Sequence, residues 1–266
     1  MLVDTVLMNA KILFRGKVIS AGIAIENGKI VKVAKDSNLP SASTKINLNG
    51  HITLPGLIDP HVHLRDQQLA YKEDFYTGTS AAAVGGVTFV MDMPNNKPVT
   101  KDSVSLKKRM KLAEKKVLVN TAFYSAFPEN LNEIEKIVKA GAIGFKLYLS
   151  NKIGGIDIED DQLLLEAFQK VAKMGVPVAV HAEDHKILTK IQNKIKNSGR
   201  NEISAFLRAH PPEAEIKSIQ RILPIIKNSG VHAHFCHISS AKGLKAIINA
   251  KKIGLSITCE VTPHNL

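Results

Sequence analysis

The stretch that decides the fold runs from Asn130 to Glu183. After a helical segment, Asn130 to Lys139, comes an apolar run, Ile143-Gly144-Phe145-Lys146-Leu147-Tyr148-Leu149. A second helical segment, Asp160 to Met174, leads to another apolar run, Val176-Pro177-Val178-Ala179-Val180, which ends on His181-Ala182-Glu183. Short apolar strands separated by one helix each are the pattern of a parallel sheet, whose strands are buried on both faces and need a crossover between them. The joints agree: Lys139-Ala140-Gly141, Lys173-Met174-Gly175 and, further on, Lys252-Ile253-Gly254 put cations on a last helical turn and glycine just past it.

Outward from this stretch the alternation continues. Strands are expected at Leu54–Asp59, Val87–Met91, Val117–Phe123, His232–Cys236 and Leu255–Glu260, and helices at Asp74–Val84, Ser103–Lys115, His185–Lys196, Pro212–Asn228 and Ala241–Lys251. That makes about seven βα-type strands, where eight close a barrel. The expected fold class is therefore α/β, a (β/α)8 TIM-like barrel over residues 53–266 that stops after about its seventh strand; an open seven-stranded sheet is the alternative. Before Thr53 the pattern differs. Alternating stretches at Asp4–Ile12 and Ile23–Val33, with turns at Arg15-Gly16-Lys17 and Asn27-Gly28-Lys29, predict a small antiparallel β-element over residues 1–52, part of a β-sandwich.

Of the 266 residues, 44% are hydrophobic, 23% charged and 5% aromatic, which excludes a collagenous or disordered chain. Two cysteines, Cys236 and Cys259, cannot make a disulfide framework and are expected as buried thiols in a reducing cytoplasm. No apolar stretch approaches the roughly 20 residues of a membrane span, and Asp4 stands where a signal peptide would be basic, so the expectation is a cytoplasmic chain without a membrane partner. The net charge of +12 comes nearly all from lysines on polar helical faces. There is no tryptophan and no interleaved aromatic platform, so a nucleic-acid partner is not expected.

Catalytic residues of a parallel barrel gather at the C-terminal strand ends. His61 and His63 follow the first strand and, two apart in extended chain, can face one ion. His181 ends the fifth strand and His237 the sixth. Four histidines at three ends of one rim point to a metal site, with imidazole-loving zinc favoured. Lys146 lies inside an otherwise apolar strand, either as an edge residue that reaches solvent or as a buried amine of depressed pKa that is used chemically. Arg65, two residues past His63, carries a planar fork suited to a substrate carboxylate, or else pairs with Asp66 or Glu73. His232 and His234 alternate on the face opposite His237 and read as core or supporting residues; His51, His185 and His210 read as surface or loop residues. Asp92 either supports the site or anchors a loop.

Seven stretches carry a family resemblance: Asp59-Pro60-His61-Val62-His63-Leu64-Arg65, Gly85-Gly86-Val87-Thr88, Met93-Pro94-Asn95-Asn96, Gly144-Phe145-Lys146-Leu147-Tyr148, Pro211-Pro212-Glu213-Ala214-Glu215, Cys236-His237-Ile238-Ser239 and Cys259-Glu260-Val261-Thr262-Pro263-His264. As a set, spread over nearly the whole chain, they resemble dihydroorotases of the amidohydrolase superfamily. The resemblance implies two zinc ions per chain, one on His61 and His63, one on His181 and His237, bridged by Lys146 carboxylated to a carbamate. It implies that Arg65 and Asn95 bind the substrate carboxylate, although Asn95 also reads as a turn residue after Pro94, and that Glu260 and His264 stand near the metals. The reaction implied is reversible cyclisation of N-carbamoyl-L-aspartate to dihydroorotate in pyrimidine biosynthesis. Expected partners are this small-molecule substrate and, beyond it, a second copy or another enzyme of that pathway. Dihydropyrimidinases, hydantoinases and allantoinases, whose substrates do not need Arg65, are the runner-up class. The family's strand-eight Asp-x-Ala-Pro-His, whose Asp shuttles the proton, does not occur in these residues. Either the chain is part of a longer protein, or it is a catalytically silent relative that serves as a scaffold.

Overall fold

The computed structural model describes residues 2–200 and 202–266. It divides into two units, one through Gly56 and one spanning Leu57–Leu266. The first is a five-stranded sheet of β1 (Leu2–Phe14), β2 (Lys17–Glu26), β3 (Lys29–Ala34), β4 (Ser41–Asn47) and β5 (Ile52–Thr53). The antiparallel expectation holds for β1, β2 and β3, joined by tight turns with Gly16 and the Asn27-Gly28 pair at positive φ. It fails for β4 and β5, which pair parallel to β1. Neither shows regular alternation of apolar and polar residues, so the sequence left them unassigned. Because Ile52 pairs with Lys11 and Thr53 with Ile12, the unit extends just past the change of pattern at Thr53.

The second unit holds seven parallel strands in sequence order: β6 (Leu57–Val62), β7 (Val87–Asp92), β8 (Asn120–Ala126), β9 (Gly144–Tyr148), β10 (Val178–His181), β11 (Ala233–Phe235) and β12 (Ile257–Cys259). Around them run α1 (Phe75–Val84), α2 (Ser103–Ala113), α3 (Glu133–Lys139), α4 (Asp161–Lys173), α5 (His185–Asn197), α6 (Ile203–Arg208), α7 (Pro212–Ser229) and α8 (Ala241–Lys252). This is the curled α/β barrel pattern expected from the sequence, and β6 and β12 form its two edges. Three differences matter. Strand β8 starts three residues late, because Val117 and Val119 pack against the core on the approach to the sheet. Helix α3 is shorter than expected. Residues before Pro211 form α6, whose exposed Ile203, Phe206 and Leu207 hide its helical character from a burial pattern.

Helix starts follow the sequence closely. Asp74 with Thr77 and Asp102 with Ser105 form reciprocal capping boxes on α1 and α2, and Asp160, Asp184 and Ser240 cap α4, α5 and α8. Pro212 occupies the first turn of α7, where a missing N–H costs nothing. Under these caps the apolar faces meet in one core around Phe127, Phe145, Phe168 and Phe235, all fully buried. The sheet is thereby held with its carboxyl ends toward one rim.

Candidate active site

That rim carries a cleft of about 330 Å³ lined by His61, His63, Lys146, His181 and His237 together with Asn95. The five candidate metal-binding residues arrive from β6, β9, β10 and the turn after β11. Ring centroids lie 5.2 Å apart for His61 and His63, 5.4 Å for His61 and His237, and 4.7 Å for His181 and His237. Nδ1 of His181 faces Nε2 of His237 at 2.9 Å. Burial holds His61 below the ordinary imidazole range. His63 falls to about 3 through burial and the charges of His61 and Arg65, and His237 to about 4 through burial and its neighbours His181 and Lys146. These three rings stay neutral at physiological pH, the form that offers a lone pair.

Lys146 is 1% exposed, which decides against an edge lysine. Its Nζ lies 2.8 Å from Sγ of Cys236, and burial lowers its pKa. Cys236 is the buried thiol expected, pushed up to about 11 by burial; Cys259 is only half-buried.

Arg65 does not pair with Asp66 or Glu73. Its Nη1 donates to the carbonyl of Asn95 at 3.3 Å, while Oδ1 of Asn95 lies 2.6 Å from Nδ1 of His63. Positive φ at Arg65, Asp66 and Gln67 turns the chain sharply out of β6. That unfavourable backbone is held from behind by Asp92 and Arg109. Asp92 accepts from the Leu64 amide at 2.9 Å and from Arg109 Nε at 2.8 Å, and Arg109 Nη1 donates to the Arg65 carbonyl at 2.9 Å. Asp92 is thus the anchor of the loop that presents Arg65.

At the opposite edge Glu260 follows β12 and bonds to Nδ1 of His61, to Nε2 of His234 at 3.1 Å and to the His237 amide at 3.3 Å. Burial acts to raise its pKa, but the hydrogen bonds to His234 and His61 outweigh it and hold the carboxylate ionised. His264 is exposed and bonds only to Thr262, so the structure does not bring it into the cleft. The three-residue turn at Pro263–Asn265 directs it outward. His234 was expected on the face away from His237. His234 reaches Glu260 with its ring, whereas His237, at φ +36° just past the strand, meets Glu260 with its backbone amide and turns its ring to His181.

The sequence reading missed one wall of the cleft. Glu183 lines it from the turn before α5, His185, Thr189 and Gln192 from α5 itself, and His210 from the loop before α7. His185 and His210, read as surface or loop residues, are half-buried here: Nδ1 of His185 lies 2.7 Å from the Ser150 carbonyl and Nδ1 of His210 lies 3.0 Å from Glu183. Burial acts to raise the Glu183 pKa, yet hydrogen bonds to His181 and His210 bring it to about 2. The available signal was position, since His181-Ala182-Glu183 sits at a strand end. Glu215 also gains a role: its oxygens accept from the Ser239 and Ser240 amides at 2.9 and 3.0 Å, fixing the turn that carries His237.

A family profile described as Dihydro-orotase-like matches residues 50–243. The chain belongs to the dihydro-orotase-like family. It is 33% identical over 270 residues to a dihydroorotase of Methanosarcina acetivorans and 32% identical over 266 residues to an allantoinase of Solibacter usitatus. These alignments cover 99% of this chain but 57% and 58% of the two relatives. Among solved structures, an L-hydantoinase (dihydropyrimidinase) from Arthrobacter aurescens superposes with a TM-score of 0.90 at 31% identity, over 98% of this chain and 58% of that one. The chain therefore spans somewhat more than half the length of the dihydro-orotase-like relatives it matches. Among the described residues, no helix is long and apolar enough to cross a membrane.

Proposed function

We propose that the protein is a dihydroorotase, a zinc-dependent cyclic amidase that interconverts N-carbamoyl-L-aspartate and dihydroorotate. The observation that carries this reading is the union, in one cleft, of four histidines, a buried lysine and Asn95, with the Arg65 guanidinium held against the Asn95 carbonyl beside it. The donor set fits zinc. Neutral imidazoles His61 and His63 would hold one ion, and His181 and His237 a second. The Lys146 amine, buried without a carboxylate partner and driven toward its neutral form, is in the state that would take up CO₂ with release of a proton, and the resulting carbamate would offer its oxygens to the ions. Two such ions would supply a water of near-neutral pKa and polarise the carbonyl under attack.

The rest follows from this chain's own groups. The Arg65 fork, aimed by the Asp92–Arg109 anchor, accepts the substrate carboxylate in a planar two-bond arrangement that lysine cannot match. Asn95 spends its Oδ1 on His63, which leaves its amide nitrogen as the donor toward a substrate oxygen. Glu260 orients His61 by accepting a hydrogen bond from its Nδ1–H, which leaves the lone pair on Nε2. Protonation of the leaving nitrogen is assigned to no residue of this chain.

A second reading, an allantoinase or hydantoinase, is favoured by the similarity to those enzymes and turns on Arg65. Elemental analysis should find about two transition-metal ions per chain, and Arg65→Ala should weaken transition-state binding of dihydroorotate by on the order of 2–5 kcal/mol while affecting neutral dihydrouracil far less. Equal losses for both rings would move the protein to the second reading, and a metal-free protein that gains nothing from zinc would remove the metal from the proposal.

A further inference from the structure

Two residues past His181, the Glu183 carboxylate divides its oxygens between two loops. Oε2 lies 2.7 Å from Nε2 of His181, and Oε1 lies 3.0 Å from Nδ1 of His210. An ionised carboxylate only accepts, so both ring nitrogens must carry hydrogen. In a neutral His181 this leaves Nδ1 as a bare lone pair, and Nδ1 is the atom that faces His237. We propose that Glu183, steadied by His210, is a positioning residue that fixes the tautomer and ring plane of His181 so that its Nδ1 serves a metal ion shared with His237.

The inference rests on the zinc reading above and adds the residues that make one half of that site. The frame around Glu183 is rigid on both sides. Next in the chain, Asp184 donates its amide to the Ala214 carbonyl at 2.9 Å and caps α5 through the Ile187 amide at 2.9 Å. His210 enters directly before Pro211 and Pro212, the start of the same α7. The backbone beside Glu183 and its partner His210 are thus both referenced to one helix end, and the His181 ring cannot turn without breaking a charge-assisted hydrogen bond. A glutamine of the same shape can present an N–H instead of a lone pair, which would admit the wrong tautomer and turn the His181 donor atom off.

The test compares metal-stripped wild type with Glu183→Gln and His210→Ala by zinc titration against a competing chelator, and reads the His181 ring protons of the wild type by nitrogen-resolved NMR. Glu183→Gln is expected to weaken zinc binding about 10- to 100-fold, with His210→Ala in the same direction and smaller. The NMR is expected to find the His181 proton on Nε2, a result that holds even where a variant does not fold. Wild type that binds no zinc overturns the metal reading, and this inference falls with it. Wild type that binds zinc while Glu183→Gln binds equally well overturns this inference alone. A proton on Nδ1 of His181 in the metal-free protein also overturns it.

Discussion

Lys146 shows at the scale of one residue how function is written against stability. A charged amine buried against Cys236 Sγ at 2.8 Å and the Tyr148 ring at 5.3 Å is a net cost to the metal-free fold. Burial lowers its folded-state pKa, so below the unfolded lysine's pKa the folded chain holds that proton less favourably than the unfolded chain does. Replacement by an apolar side chain of similar length should therefore stabilise. In Lys146→Met the metal-free melting temperature is expected to rise by a few degrees, about 1–3 kcal/mol, while zinc capacity falls. A lower melting temperature in calorimetry would show that the amine contributes to the fold after all. His237 makes the complementary point: its left-handed backbone is costly for a non-glycine residue, and the Glu215 clamp on the next turn offsets it.

At the scale of the element, β9 sets the depth at which Lys146 sits. Gly144 opens this strand, and a Cβ placed there would meet the Pro177 carbonyl at 2.7 Å and the Tyr124 ring at 2.9 Å. The absent side chain is what lets β9 lie between β8 and the approach to β10. Gly144→Ala must push one of these strands aside, and overpacking of this kind costs about 1–3 kcal/mol. A melting temperature lowered by several degrees is expected, with zinc affinity lowered as well because Lys146 moves with the strand. An unchanged melting temperature would mean that the backbone yields without cost. Sequence reading found a glycine here and a strand after it, but the contact that demands glycine comes from Pro177, 33 residues further on at the approach to β10.

At the scale of the whole molecule the cleft is a place where unlike stretches converge: His61 and Glu260 touch although 199 residues separate them. Convergence has a pH signature. His63 and His237 titrate near 3 and 4 in the folded chain against 6.5 when unfolded. Below pH 6.5 the unfolded chain takes up protons that the folded chain refuses, so their contribution is fully present above that pH and is lost as pH falls toward 4. Metal-stripped protein should melt at progressively lower temperature from pH 6.5 to about 4, and a His63→Asn, His237→Asn double variant should show a shallower slope in the same calorimetric series. Equal slopes would show that these rings do not carry the effect.

The sequence by itself determined the barrel class, the helix caps, the strand-end histidines and the family. These are local or periodic properties: an apolar run with a helix on either side has few other ways to bury itself, and His-x-His or Gly-Phe-Lys-Leu-Tyr stands in the chain as it stands in the motif. Tertiary structure alone decided the partnerships. Nothing near Glu183 in sequence announces His210, and nothing near Arg65 announces Arg109, because both contacts close across the rim between separate βα units. It also decided against His264, which a turn carries outward, and gave His234 its partner in Glu260 across the β11–β12 pair, neither of which periodicity can foresee. Hydrophobic periodicity reports how far each residue lies from water, whereas a hydrogen bond depends on where two chain segments meet, and only the folded chain holds that information.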